Sequence, residues 1–174
     1  MALPSTYPER NCSLARALEI LGERWTLLIV RDAFYGVRRF GDFATQLGIP
    51  RAVLTSRLKA LVQEGVFLRD DNGSGGVEYR LSDKGVALWP ILRSMMAWGD
   101  EFYSPAGVKR ALRHDEDGGT VDPEGRCQKC GAIVPTPDIR IEPGPGYVTG
   151  DTEPDRVSAL FNTPRRLLEP LSPT

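Results

Sequence analysis

Phe40-Gly-Asp-Phe-Ala-Thr-Gln-Leu-Gly-Ile-Pro-Arg-Ala-Val-Leu-Thr-Ser-Arg-Leu-Lys-Ala-Leu-Val-Gln-Glu-Gly65 is the stretch whose pattern decides how this chain folds. Phe40 to Gln46 reads as a short helix, and Gly48 breaks it. Ile49-Pro50 opens a second helix, because proline is pre-set for a first helical turn. Leu54, Leu58 and Leu61 recur at helical spacing, with Val62 beside them. The opposite face carries Ala52, Thr55, Ser56, Lys59 and Gln63, which are small, polar or cationic. Gly65 ends the helix.

Two candidate strands follow, Val66-Phe-Leu-Arg69 and Glu78-Tyr-Arg-Leu81. Asp71-Asn-Gly-Ser-Gly-Gly76 between them is a turn sequence. Helix, turn, helix and hairpin together outline a winged helix-turn-helix. Such a unit sets its second helix in the major groove of duplex DNA and its hairpin on the phosphates.

The flanks fit that outline. Asn11 or Ser13 can cap a first helix carrying Leu14, Leu18 and Leu21, which Gly22 ends. A second helix starts near Arg24. Its run Trp25-Thr-Leu-Leu-Ile-Val is apolar nearly all round and should be central to the core. Ser82 caps a short helix, and a longer one runs from Pro90 to about Tyr103. The long helix presents Leu92, Met95, Met96, Trp98, Phe102 and Tyr103, more circumference than one small core uses. The excess points to a partner helix in a homodimer. The expected division is residues 1–104 as a DNA-binding and dimerisation domain and 105–124 as a linker. A turn-rich knuckle would occupy 125–146, and a tail 147–174. The tail is expected to be mobile unless Leu160, Phe161, Leu167 and Leu168 dock. No internal repeat is evident.

The chain has 174 residues, 41% hydrophobic and 26% charged, the composition of a soluble globular protein. No apolar run approaches the ~20 residues needed to span a bilayer. Met1 to Arg10 lack the basic start and apolar core of a secretion signal, so a cytoplasmic location is expected. The net charge of -1 argues by itself against binding nucleic acid, but its distribution matters more. Between Arg38 and Lys59, Arg38, Arg39, Arg51, Arg57 and Lys59 face Asp42 alone, a local +4 on an otherwise acidic chain. That is how a protein docking DNA through one face distributes charge.

At this point the chain resembles the HxlR-type transcriptional regulators. The residues that carry the resemblance run from Cys12 to Phe102. They are Cys12-Ser-Leu-Ala, Ile20-Leu-Gly-Glu-Arg-Trp25, Phe40-Gly-Asp-Phe43, Ile49 to Leu61, Glu78-Tyr-Arg-Leu-Ser-Asp-Lys-Gly85 and Leu92 to Trp98. The family usually has Gly-Gly-Lys-Trp where this chain has Gly22-Glu-Arg-Trp25. The resemblance implies a homodimer built from the first and last helices of the domain. It also implies control of a nearby gene, often in response to electrophiles, oxidants or aldehydes, with repression favoured over activation.

The expected partner is therefore double-stranded DNA, bound as a pseudo-palindromic operator by a homodimer, with an oxidant or small-molecule effector. No membrane partner is expected. Arg51, Ala52, Thr55, Ser56 and Lys59 are candidates for the DNA-facing surface, since Arg and Lys pair with guanine edges or phosphates and Ser and Thr with either. Arg57 lies nearer the buried flank and should meet phosphate or an acidic neighbour. Arg69 and Arg80 flank the wing and can reach phosphate. Asp70 and Asp71 would repel it, which leaves the amides of Gly73 to Gly76. Any ligand pocket is expected between the dimer helices and the core, near Trp25, Trp89 or Trp98.

Cys12 precedes the first helix, whose N-terminus stabilises a thiolate. In the resembling family some members sense oxidants with a cysteine there; the alternative is an inert, partly buried side chain. Cys127-Gln-Lys-Cys130-Gly131 is a knuckle of the kind that holds zinc, and His114, the single histidine, is a third ligand candidate. Some regulators resembling this chain carry His-x-x-Cys-Gly before Cys-x-x-Cys-Gly; here Asp117 stands where that cysteine would be. Three readings stay open: a zinc site of His114, Asp117, Cys127 and Cys130, a relic that binds no metal, or a reversible Cys127–Cys130 disulfide. A thiol oxidoreductase is disfavoured, because a catalytic Cys-x-x-Cys opens a helix beside a sheet. A zinc-knuckle adaptor for other proteins is the remaining alternative. Histidine-based catalysis has no support, so no enzyme is expected.

Overall fold

The computed structural model describes residues 11–71, 76–147 and 156–171. Helix α1 is Ser13–Leu21, α2 is Thr26–Phe34, α3 is Phe40–Leu47 and α4 is Arg51–Gln63. Strands β1 (Phe67–Asp71) and β2 (Val77–Leu81) form an antiparallel hairpin, with Arg69 opposite Tyr79. Short α5 (Asp83–Val86) and long α6 (Trp89–Tyr103) complete a mainly helical winged helix-turn-helix. Each predicted element is present, with ends shifted by one or two residues. One local detail differs: Cys12, not Asn11 or Ser13, is the cap residue of α1, and no side chain caps it.

Helix α2 is the axle of the core, as its all-round apolarity requires. Ile29, Val30 and Phe34 are fully buried, and the Phe34 ring lies tilted against Trp89 of α6 with centroids 5.0 Å apart. Helix α3 packs on α2 and α4, and Phe43 meets Phe67 edge-on across the hairpin base. Gly48 turns α3 into α4 at φ 58°. Ser82 does two tasks: its Oγ accepts from the Gly85 amide, capping α5, and donates to Gly65 O, tying the end of α4 to the hairpin.

Beyond α6 the chain departs from the expected linker. Residues 105–124 contain β3 (Arg110–His114), which pairs antiparallel with β4 (Ile139–Pro143), and β5 (Arg165–Arg166) joins the other edge of β4. The strand was hidden in Arg-Ala-Leu-Arg-His because only two of its five residues face inward. Leu112 lies opposite Ile141 and His114 opposite Ile139, and all four are buried. The core is continuous from α2 through this sheet to Leu167, with Leu168 and Leu171 packed against it.

The tail docks through the residues singled out for that role. Helix α7 (Arg156–Phe161) packs on α3, with Val157 and Phe161 buried and Phe161 edge-on to Tyr35 at 5.6 Å. Leu167 is buried as well. Leu168 donates its amide to Phe34 O, and Leu171 its amide to Gly36 O. Gly36 is required there. It sits at φ 95°, and a Cβ would lie 2.0 Å from Glu169 O. The last segment is thus a strap across the α2–α3 corner. Leu167→Ala should lower unfolding free energy by ~2–5 kcal/mol, the usual cost of truncating a buried leucine. Urea denaturation of the full chain measures it; a change below about 0.5 kcal/mol would mean that the strap is not part of the core.

Candidate functional site

Burial orients α4. Leu54, Leu58 and Leu61 point into the core, and Arg51, Ala52, Thr55, Ser56, Lys59 and Gln63 are exposed on the other side. Among the described residues nothing packs over that face. Thr55 Oγ donates back to Arg51 O at 2.9 Å, so its hydroxyl is directed along the helix. The Arg51 guanidinium lies 5.1 Å from the Phe40 ring centroid, at the α3–α4 corner.

The basic patch is smaller in space than in sequence. Arg38 and Arg39 both approach Glu78 of the hairpin, at 4.0 and 3.9 Å. Arg57 meets Glu23 at 3.9 Å, the acidic neighbour expected for it. In the wing, Arg69 pairs with Asp71 and Arg80 with Asp70. Arg51 and Lys59 have no such carboxylate among the described residues. Pairs that remain in contact with solvent are worth only ~0–1 kcal/mol, so they can be traded for phosphates. The wing-tip amides of Gly73 to Gly75 lie outside the described residues.

Helices α1 and α6 leave apolar side chains in water. Leu14 is exposed on α1, with Leu18 one turn on. On α6, Ile91, Met95, Trp98 and Phe102 are exposed at spacings of four, three and four, the seam of a helix that pairs with another. Trp98 and Phe102 remain 56% and 60% exposed in the single chain, with their rings 5.5 Å apart. Covering a side chain of this size contributes ~1.5–3 kcal/mol. Cys12 is exposed at the start of α1.

The C-terminal unit brings His114, Asp117, Cys127 and Cys130 together, with one ligand atom from each within 4.8 Å of the others. Two similar turns build the site. After β3, Gly118 adopts φ 70° and donates to His114 O, while the Gly119 amide donates to Asp117 Oδ1. After Cys127, Gly131 adopts φ 76° and donates to Cys127 O, while the Lys129 amide points at Cys127 Sγ. His114 Nδ1 lies 3.6 Å from Cys130 Sγ and 3.4 Å from Asp117 Oδ1, and Cys127 Sγ lies 3.4 Å from the same oxygen. All three cysteines are free thiols.

Proton affinities follow from this crowding. The Cys127 sulfur raises the His114 pKa, with Asp117 adding to the effect. The Gly119 amide holds Asp117 below its ordinary value. Burial pushes Cys127 up, but the amides of Cys130 and Lys129 and the His114 side chain outweigh it, and its pKa is lowered. Such a set of donors could hold a metal ion.

The comparisons bear on the helix-turn-helix first. The family model described as HxlR-like helix-turn-helix matches residues 20–106. The chain belongs to the HxlR-like helix-turn-helix family. It is a DNA-binding transcriptional regulator and not an enzyme. An HTH-type transcriptional regulator of Mycobacterium tuberculosis (strain ATCC 25618 / H37Rv) is 47% identical over 138 residues, covering 78% of this chain and 87% of that protein. A match of that length extends past α6 into the C-terminal unit. The regulator YodB of Bacillus subtilis (strain 168) is 34% identical over 92 residues, 51% of this chain and 82% of its own. Among solved structures, PA1607, described as a candidate transcription factor, is 34% identical with TM-score 0.55, and the match covers 85% of this chain and 96% of that one. No described helix is long and apolar enough to cross a membrane.

Sequence reasoning missed one feature. The cavities lie beside α6, one of the expected dimer helices, and share Met96, Asp100 and Arg110, while no tryptophan lines them. Trp89 fills the core instead. Arg110 carried no signal while its strand was read as linker.

Proposed function

We propose that the protein binds a pseudo-palindromic operator as a homodimer, one α4 per half-site, and represses by occluding polymerase. The observation that carries this is the exposed, uncluttered face of α4 opposite Leu54, Leu58 and Leu61. Residues 1–104 supply the reading head and the dimer helices. Arg51, Ala52, Thr55, Ser56 and Lys59 face the groove. Arg57, Arg69 and Arg80 exchange their carboxylate partners for phosphates. The exposed stripe on α6 and the apolar side chains of α1 meet their copies in the partner. Lys59→Ala should weaken binding to the DNA upstream of the protein's own gene. It should also reduce the slope of log K against log salt by about 1. An unchanged salt series would remove Lys59 from the interface.

The cluster at the C-terminal unit is proposed to bind a metal ion, zinc. Zinc ligand distances of ~2.3 Å to sulfur and ~2.0–2.1 Å to nitrogen or oxygen give tetrahedral edges of ~3.5 Å for S···N and S···O and ~3.3 Å for N···O. Three of the six ligand–ligand separations, 3.6, 3.4 and 3.4 Å, are close to those edges, and all four ligand atoms lie within 4.8 Å of one another. Bound zinc would clamp the two turns to each other at the end of β3. Its ligands must shed protons, so affinity falls as pH falls, and the raised His114 pKa starts that competition early. Purified protein should contain one zinc per chain at neutral pH and lose it near pH 5. Metal-free protein with a Cys127–Cys130 disulfide by mass would establish the disulfide reading instead.

Cys12 is proposed as an oxidant- or electrophile-sensing thiol. It is exposed on the helix assigned to the dimer contact, so an adduct there would alter half-site spacing. Cys12→Ser should retain operator binding and lose its response to diamide. A variant that responds like the parent would exclude the role.

A further inference from the structure

Two adjoining cavities, of about 370 and 450 Å³, lie between α6 and the C-terminal unit. They share Met96, Asp100 and Arg110. The two ends differ chemically. The first is mainly aliphatic, walled by Ala97 and Met96 of α6 and by Val108, Leu112 and Val121. Its charged groups are occupied: Arg113 bonds Glu142 and Thr120, and Arg93 Nε donates to Pro123 O. Asp122 accepts from the Arg126 amide.

The second end is cationic and aromatic. Arg31, Lys109 and Arg110 line it with Tyr35, Tyr147 and Phe161, and Asp100 is the one anion in its lining. Arg31 is matched by buried Asp32. Asp100 accepts from the Lys109 amide. Lys109 Nζ bonds the carbonyl of Gly146, and Arg110 donates to Phe161 O while lying 4.2 Å from the Tyr147 ring centroid. Among the described residues no carboxylate is within ion-pair distance of Lys109 or Arg110. Two positioned cations therefore stand at the polar end of a hydrocarbon-lined cavity.

We propose that this paired cavity binds a small organic acid, with its hydrocarbon body against Ala97, Leu112 and Val121 and its carboxylate at Arg110 and Lys109. The volume lies within the ~300–1,000 Å³ usual for small-molecule sites. The site uses the inner flank of α6, whose outer flank carries Ile91, Met95, Trp98 and Phe102. An occupant would therefore bear on the helix assigned to the dimer contact.

Octanoate and 1-octanol, titrated calorimetrically into the full chain, form the test. Octanoate should bind at least tenfold more tightly than the alcohol, because only the acid meets Arg110 and Lys109. Ala97→Phe fills the aliphatic end and should abolish binding. Lys109→Met, which keeps the stem and removes the charge, should bring acid and alcohol to within threefold of each other. Thermal melts of each variant confirm folding; if Ala97→Phe is unfolded, Lys109→Met decides alone. No heat from octanoate, equal affinity for the alcohol, or a folded Ala97→Phe chain that binds like the parent would overturn the proposal. The titration contains no DNA, so its failure would leave the operator reading intact, and the reverse.

Discussion

Three leucines on one helix constrain everything else. Leu54, Leu58 and Leu61 can leave water only by turning inward against the core built on α2, and a rigid helix then has no freedom in where its other side points. Small and cationic residues end up outward by geometry. Helix α3, the Gly48 turn and the hairpin serve to hold that orientation. Phe43 against Phe67 locks the hairpin to the reading head, and Ser82 fastens the end of α4 to the same junction.

The helix-turn-helix half was legible because its signals are local. Helical spacing, Pro50 at the opening of α4, Gly48 and Gly65 at its borders and the glycine-rich turn each specify one element without reference to distant chain. The C-terminal half was not, because its structure depends on partners remote in sequence. Arg110–His114 becomes a strand only when Ile139–Pro143 lies beside it. The four ligand candidates were nevertheless visible, since their spacing is a property of two tight turns. Local charge misled in the other direction. Arg38 and Arg39 swell the basic stretch in sequence, yet Glu78 from the hairpin sits next to both.

A continuous core changes what the C-terminal unit can do. A tethered knuckle would report nothing to the DNA-binding half. Here Arg93 and Asp100 of α6 bond Pro123 O and the Lys109 amide, α7 packs on α3, and the strap at Leu168 and Leu171 bonds the α2–α3 corner. Leu168 even adopts φ 66°, a conformation costly for a leucine, while its amide bonds Phe34 O and its carbonyl accepts from Arg38. Occupancy of the cavity would act on α6 and modification at Cys12 on α1, the helices whose apolar sides remain uncovered in one chain.

Groove-facing presentation of α4 by two copies is the central claim, and hydroxyl-radical footprinting on the DNA upstream of the protein's own gene tests it most directly. The account predicts two protected half-sites with centres about one helical turn apart, ~34–36 Å, lying on one face of the duplex. A single protected half-site at saturation, or no protection at low salt, would contradict it.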